Sequence, residues 1–189
     1  MLLEQEGKLV ERAKYSAEAF GELYDCYFKM IFGYVLRRSA DIDIAKDITS
    51  AVFLKAMKNI KKFKWHGVPF SHWLYRIANN EIIDYHKKRK REINVEMESF
   101  LAVDNNDYET VIGRNEVRKY DEYLDLHSAI SKLPPKYQEV IALRYFEDLN
   151  IDAIAEILQK PEGTVKSLIH RGVNQLRELV RSQELNNVQ

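Results

Sequence analysis

Apolar residues recur at spacings of three and four along most of the 189 residues, and no stretch alternates as a half-buried strand would. The pattern predicts helices over 5–14, 17–38, 41–60, 71–91, 120–131, 135–146, 150–158 and 164–181. Ser16, Asp41 and Ser71 stand where a short side-chain oxygen could accept from first-turn amides, so each is expected to be an N-cap. In 41–60, Ile44, Ala45, Ile48, Val52, Ala56 and Ile60 form a broad inward face. The opposite stripe reads Asp43, Asp47, Ser50, Leu54 and Met57. Two apolar side chains on a face otherwise polar suggest a protein partner, although singly exposed leucines are common. In 71–91, Leu74, Ile77, Ala78, Ile82 and Tyr85 make the inward stripe, with Trp73 beside it as a further core candidate.

The last two helices have the spacing of a helix-turn-helix. Ile151, Ile154, Ala155 and Leu158 share a face of the first, and Pro161 and Gly163 interrupt the periodicity after it. Stepping about 100° per residue from Val165 gathers Leu168, Ile169, Gly172, Leu176 and Leu179 on one side of the second helix. Its other side carries Lys166, Ser167, His170, Arg171, Asn174, Arg177 and Arg181. An amphipathic helix with a basic, donor-rich outer face suits the major groove, where base edges and phosphates are read.

Charge sharpens the division. The chain has 29 basic and 29 acidic side chains, yet residues 1–91 are net +7, residues 92–126 net −7, and residues 127–189 neutral. Between Lys55 and Arg91 there are 11 basic residues and two acidic ones, Glu81 and Asp84, interleaved with Trp65, Phe70, Trp73, Tyr75 and Tyr85. Cations attract phosphates, and aromatic faces accept unstacked bases. Trp65 lies in KFKWHGVPFS, where Gly67 and Pro69 predict a loop, and its exposure is left open. The segment from Glu92 to Arg118 has no sustained stripe, and an unstructured stretch of that length is uncommon inside a compact domain. The expected architecture is all-α: a helical domain over 1–91, an acidic linker over 92–126 and a helix-turn-helix domain over 127–189.

Other classes fit less well. The longest apolar run, Met30 to Leu36, is broken by Gly33 and falls short of the roughly 20 residues of a membrane span. The charged start MLLEQEGKLVERAK does not read as a secretory leader, and the single Cys26 cannot form an internal disulfide, so a cytoplasmic setting is expected. The histidines at 66, 72, 86, 127 and 170 lack metal-ligand spacing and there is no phosphate-cradling glycine loop. No catalytic activity, cofactor, metal or small-molecule substrate is therefore expected.

Five segments together resemble the small two-domain extracytoplasmic-function (ECF) group of bacterial sigma factors: AFGELYDCYFKMIFGYVLRR, DITSAVFLKAMKNIKKF, WLYRIANNEIIDYHKKRKR, LPPKYQEVIALRYFEDLNIDAIAEIL and GTVKSLIHR. The resemblance covers residues 16–91 and 127–181. It implies that Asp47, Leu54 and Met57 meet core RNA polymerase, with Phe53 turned inward. It implies that the loop from Lys64 to Phe70 captures a flipped minus-ten base, beside Arg76, Asn80, Asp84 and Lys87. It implies that Lys166, Ser167, His170 and Arg171 read the minus-thirty-five element, and that an anti-sigma factor is a partner. The sequence departs from the family where Ser50-Ala51 replaces a Gln-Glu pair, Gln159-Lys160 replaces Gly and an apolar residue, and Gly172 replaces a common Ala. The competing reading is a stand-alone helix-turn-helix regulator of duplex DNA, which accounts for 127–189 but gives no task to the 61–91 segment or the stripe at 43–57.

Overall fold

The structure, a computed structural model, describes residues 2–39, 41–95 and 129–186, with side chains over 2–39, 41–89 and 129–181. The helices are α1 (Leu3–Ala13), α2 (Ala17–Ser39), α3 (Ile42–Asn59), α4 (Phe70–Val95), α5 (Pro135–Ile141), α6 (Ile151–Leu158) and α7 (Glu162–Asn186). A 3-10 turn, Ile60–Lys62, follows α3, and a π-helical turn, Ala142–Phe146, prolongs α5. The described residues contain no strand. No described helix is long and apolar enough to cross a membrane.

Local chemistry sets several of the boundaries. Ser16 Oγ accepts from the Ala19 amide at 3.2 Å, and the Asp41 carboxylate accepts from Asp43 and Ile44, each at 2.9 Å. Asn150 plays the same part for α6 by accepting from Ala153 at 3.1 Å. The third expected cap, Ser71, is not one. It is buried inside the first turn of α4, which begins at Phe70, and the Phe70 amide instead donates to Glu6 of α1 at 2.7 Å. Helix α4 also runs to Val95, four residues beyond the expected end at 91. The expected helix over 120–131 is described only at 129–131, which are helical, and the expected linker lies outside the described residues from 96 onward.

Most of the predicted inward stripes are core. Ala45, Ile48, Val52, Ala56 and Ile60 are buried, as are Leu74, Ala78 and Ile82. Ile44, Ile77 and Tyr85 are half-buried against them, and Phe53 is buried as the resemblance implied. Fully burying each of the isoleucine, valine, leucine and phenylalanine side chains contributes about 1.5–3 kcal/mol. In the carboxy-terminal unit, Ile130, Leu133, Tyr137 and Ile141 form a cluster against Leu168, Leu176 and Leu179. Gly172 is what lets α7 come close to α5: a Cβ there would lie 3.0 Å from Ile141 Cδ1 and 3.2 Å from Tyr137 Cβ. The departure from alanine noted in the sequence is thus matched to a tight crossing.

Helix α6 ends in a left-handed residue, Gln159, at φ 53° and ψ 44°. The Lys160 amide donates to the Ala155 carbonyl at 3.0 Å, the closing bond of a Schellman turn. Glycine is the usual occupant because a side chain at positive φ is disfavoured.

The two helical units share one apolar cluster. It runs from Tyr34, Val35, Leu74 and Tyr75 into Val140, Leu143, Ile154 and Ile157. Glu147, just past the π-helical turn, crosses the seam, with a side chain only 5% exposed. Its carboxylate accepts from the Arg37 guanidinium on α2 and from the Tyr75 hydroxyl on α4. Arg37 also lies over the Phe146 ring at 5.2 Å. Burial, with Glu147 alongside, holds the Tyr75 phenol far above the ordinary tyrosine range. Nearby, Arg76 Nη2 donates to the Glu156 carbonyl at 3.3 Å and His72 Nδ1 lies 3.5 Å from the Glu156 carboxylate.

Two outcomes follow from this geometry. Gln159→Gly should raise stability by about 1 kcal/mol, seen as a higher midpoint in urea unfolding. Glu147→Ala strands two buried donors and should lower stability by about 3 kcal/mol or more. An unchanged midpoint in that variant would show that the units unfold without regard to the seam.

Candidate nucleic-acid interface

Helix α4 and the loop before it carry the first group of candidates. The 3-10 turn after α3 ends at Lys62, the chain extends at Phe63, and Gly67 at φ 74° turns it toward Pro69. The aromatic base of this loop is closely packed. Phe63 packs at a tilt against Trp73 with centroids 4.6 Å apart and meets the Phe70 ring edge-on at 5.5 Å. Trp73 is half-buried in this cluster, as its place beside the inward stripe suggested. Lys64 and His66 are exposed. Trp65 is half-buried, with the five-membered edge of its indole against Gly7 of α1.

Two hollows flank the loop. A groove of about 660 Å³ between α3 and α4 is lined by Phe63, Trp73, Asn80, Asp84 and Lys87, with Lys55, Asn59 and Lys62 on its other side. It brings three of the four α4 candidates together beside aromatic rings. Lys55 is tied to Glu81 across the groove, and Lys87 lies 3.8 Å from Asp84. The second hollow, about 310 Å³, joins Lys64, His66, His72 and Arg76 to Glu156 of α6. Arg76 is therefore set apart from Asn80, Asp84 and Lys87, with its guanidinium engaged at the seam. The sequence reading missed Lys55, Asn59 and Lys62 as groove residues. Their spacing of four and three was the available signal, since it keeps them on one side of α3 and the turn that continues it.

The end of α4 supplies a cationic surface. Lys87, Lys88 and Arg89 are exposed. His86 behind them is held below its ordinary pKa, chiefly by burial and then by the cations of Arg38 and Arg89, so it is neutral at neutral pH. Arg38 is itself buried at 1% exposure, where it donates to Tyr34 Oη at 2.9 Å and to Asn79 Oδ1 at 2.6 Å. It pins α2 to α4 below the basic surface.

The second group lies on α7. Val165 and Gly172 are buried, and Lys166, Ser167, His170, Arg171, Asn174 and Arg177 are all exposed, as the periodicity predicted. Lys166 reaches Glu162 one turn back at 3.5 Å, Ser167 Oγ donates to the Gly163 carbonyl at 2.9 Å, and Arg177 donates to Asn174 at 3.0 Å. These are surface interactions of the kind contributing at most about 1 kcal/mol, so the side chains can exchange them for a ligand.

The third group is the outward stripe of α3. Asp43, Asp47 and Ser50 are exposed, and Leu54 and Met57 stand 47% and 49% exposed among polar neighbours. Phe53 is turned inward at 4% exposure, against Tyr24 and Phe28.

Comparison with known proteins gives these surfaces a family. The sequence matches the description "Sigma-70 region 2" over residues 23–92 and "Sigma-70, region 4" over residues 123–176. It is 33% identical over 182 residues to the ECF RNA polymerase sigma factor BldN of Streptomyces coelicolor, covering 92% of this chain and 65% of that one. It is 32% identical over 186 residues to the ECF RNA polymerase sigma factor SigW of Bacillus subtilis, covering 96% of this chain and 98% of the relative. The fold is similar to that of the sigma factor RpoE, solved with the anti-sigma factor NepR from Bartonella quintana. The TM-score there is 0.69 at 23% identity, over 87% of this chain and 98% of that one. CnrH, solved with the cytosolic domain of CnrY, gives a TM-score of 0.68 at 19% identity, over 94% and 97% of the two chains. With both regions matched in order and SigW covered over nearly its whole length, the chain belongs to the ECF family of RNA polymerase sigma factors.

Proposed function

We propose that this protein binds core RNA polymerase and directs it to promoters, recognising them at two elements and aiding strand separation at the first. The observation that carries this reading is the presence, on one chain, of an exposed apolar pair on α3 and two separate exposed basic surfaces, on α4 and α7. Leu54 and Met57, bordered by Asp43, Asp47 and Ser50, dock on polymerase, where burying about half of each side chain contributes of the order of 1 kcal/mol apiece. The α4 groove and the loop with Lys64, Trp65 and His66 hold the minus-ten element, with Asn80, Asp84 and Lys87 supplying donors and acceptors along its path. Phosphates are drawn to the cationic end of α4, and an unstacked base finds aromatic rings close by. Helix α7 lies in the major groove at the minus-thirty-five element, with Lys166, Ser167, His170, Arg171 and Asn174 toward DNA. Arg76 joins the minus-ten surface once its bond to Glu156 is exchanged.

The first unit extends to the end of α4 at Val95 and the second falls at 127–189, with the acidic segment between them as tether. The protein works in the cytoplasm, where polymerase is, and has no catalytic activity of its own. An anti-sigma factor is its inhibitory partner, as NepR is named for RpoE. A stand-alone regulator would leave the α3 stripe and the α4 groove without a purpose.

Mixing the protein with core polymerase and scoring open complexes on a promoter library tests the reading directly. Duplex binding with no polymerase association would overturn it. Leu54→Asp with Met57→Asp should lower polymerase affinity at least about tenfold while the free protein keeps its helicity and melting temperature, because both side chains are exposed. Lys166→Ala with Arg171→Ala should cost about 1–3 kcal/mol for each bidentate base pairing that these side chains make. The weakening should appear in footprints over the minus-thirty-five element, with polymerase binding unchanged.

A further inference from the structure

Helix α1 lies before the stretch matched to sigma-70 region 2, which begins at residue 23. It nevertheless touches both ends of the loop assigned above to the minus-ten element. Glu6 is buried at 4% exposure, an unusual place for a carboxylate without partners. Its Oε1 accepts from the Phe70 amide at 2.7 Å and from the Tyr27 hydroxyl on α2. Phe70 is the first residue of α4, so Glu6 satisfies an amide that no earlier turn of helix can reach. Burial, and then Glu6 itself, keeps the Tyr27 phenol protonated far above its ordinary range.

The next residue holds the other end. Gly7 is buried in the middle of α1, where glycine costs about 1 kcal/mol in helix propensity relative to alanine. A Cβ there would lie 3.0 Å from both Cε2 and Nε1 of Trp65. The absent side chain is the space the indole occupies. Consecutive residues of one helix thus fix the amide that starts α4 and the aromatic ring five residues before it.

We propose that Glu6 and Gly7 are positioning residues for minus-ten recognition: α1 clamps the Lys64–Phe70 loop so that Trp65, Lys64 and His66 meet the unstacked base in one fixed geometry. The inference rests on the sigma-factor reading above. The clamp acts through the loop and touches no DNA itself. Holding the loop before binding removes the cost of ordering it on DNA.

The test uses holoenzyme reconstituted from core polymerase and the full chain, on promoters with randomised minus-ten and minus-thirty-five elements, and sequences the transcripts. Gly7→Ala favours the helix but displaces the indole. Its preference among minus-ten bases should fall about tenfold, with core affinity and minus-thirty-five preference unchanged. Glu6→Ala should behave the same way. Glu6→Gln keeps an oxygen for the Phe70 amide and should restore wild-type preference. If Glu6→Ala does not fold, Gly7→Ala decides. Wild-type minus-ten preference in Gly7→Ala overturns the proposal, as does a decline at both elements in step, which marks general loosening. A wild-type chain that fails to bind core polymerase removes the sigma reading and the clamp together. One that binds, with variants that change nothing, removes only the clamp.

Discussion

A carboxylate almost sealed from water must find donors or lose its charge, and Glu147 finds them on two different helices. Its bonds to Arg37 and Tyr75 fix how the carboxy-terminal unit sits on the amino-terminal one. Apolar contact alone would not set that angle, because burial is non-directional. The shared cluster from Tyr34 to Ile157 supplies the driving force, and Glu147 supplies the register. The second hollow, lined by the loop after α3 and the start of α4 and closed by Glu156 of α6, depends on that register.

The same logic appears at smaller scale under the basic surface. Arg38 is buried between Tyr34 and Asn79, with its ring-facing cation 5.5 Å from the Tyr34 centroid. Uncompensated, it would be costly. Its hydrogen bonds to neutral partners and the aromatic face reduce that cost while locking α2 to α4. The exposed cations Lys87, Lys88 and Arg89 therefore project from a stiff support.

Features set by near neighbours were legible in the sequence. Asp41 caps α3 because its acceptor lies two and three residues from the amides it serves. The faces of α3 and α7 follow from a period of 3.6, and every residue assigned outward on them is exposed. What escaped was long in sequence. The cap on Phe70 comes from 64 residues away, which is why Ser71, the only short polar side chain at hand, looked like the cap. The Glu147 bond to Arg37 spans 110 residues, and nothing local marks it. Arg76 shows the limit for the candidate site. Its helical position groups it with Asn80 and Asp84, but the neighbouring unit draws its guanidinium to the Glu156 carbonyl.

The π-helical turn at Ala142–Phe146 carries one more implication. Its wider ring, closed by the Glu147 amide on the Ala142 carbonyl, holds one residue more than an α-turn would. That extra residue sets the rotational phase of everything after it by about 100°. Shortening this turn by a single codon would swing Glu147 away from Arg37 and Tyr75 without altering any side chain at the seam. The length of this turn, and not only its side chains, thus sets where Glu147 lands.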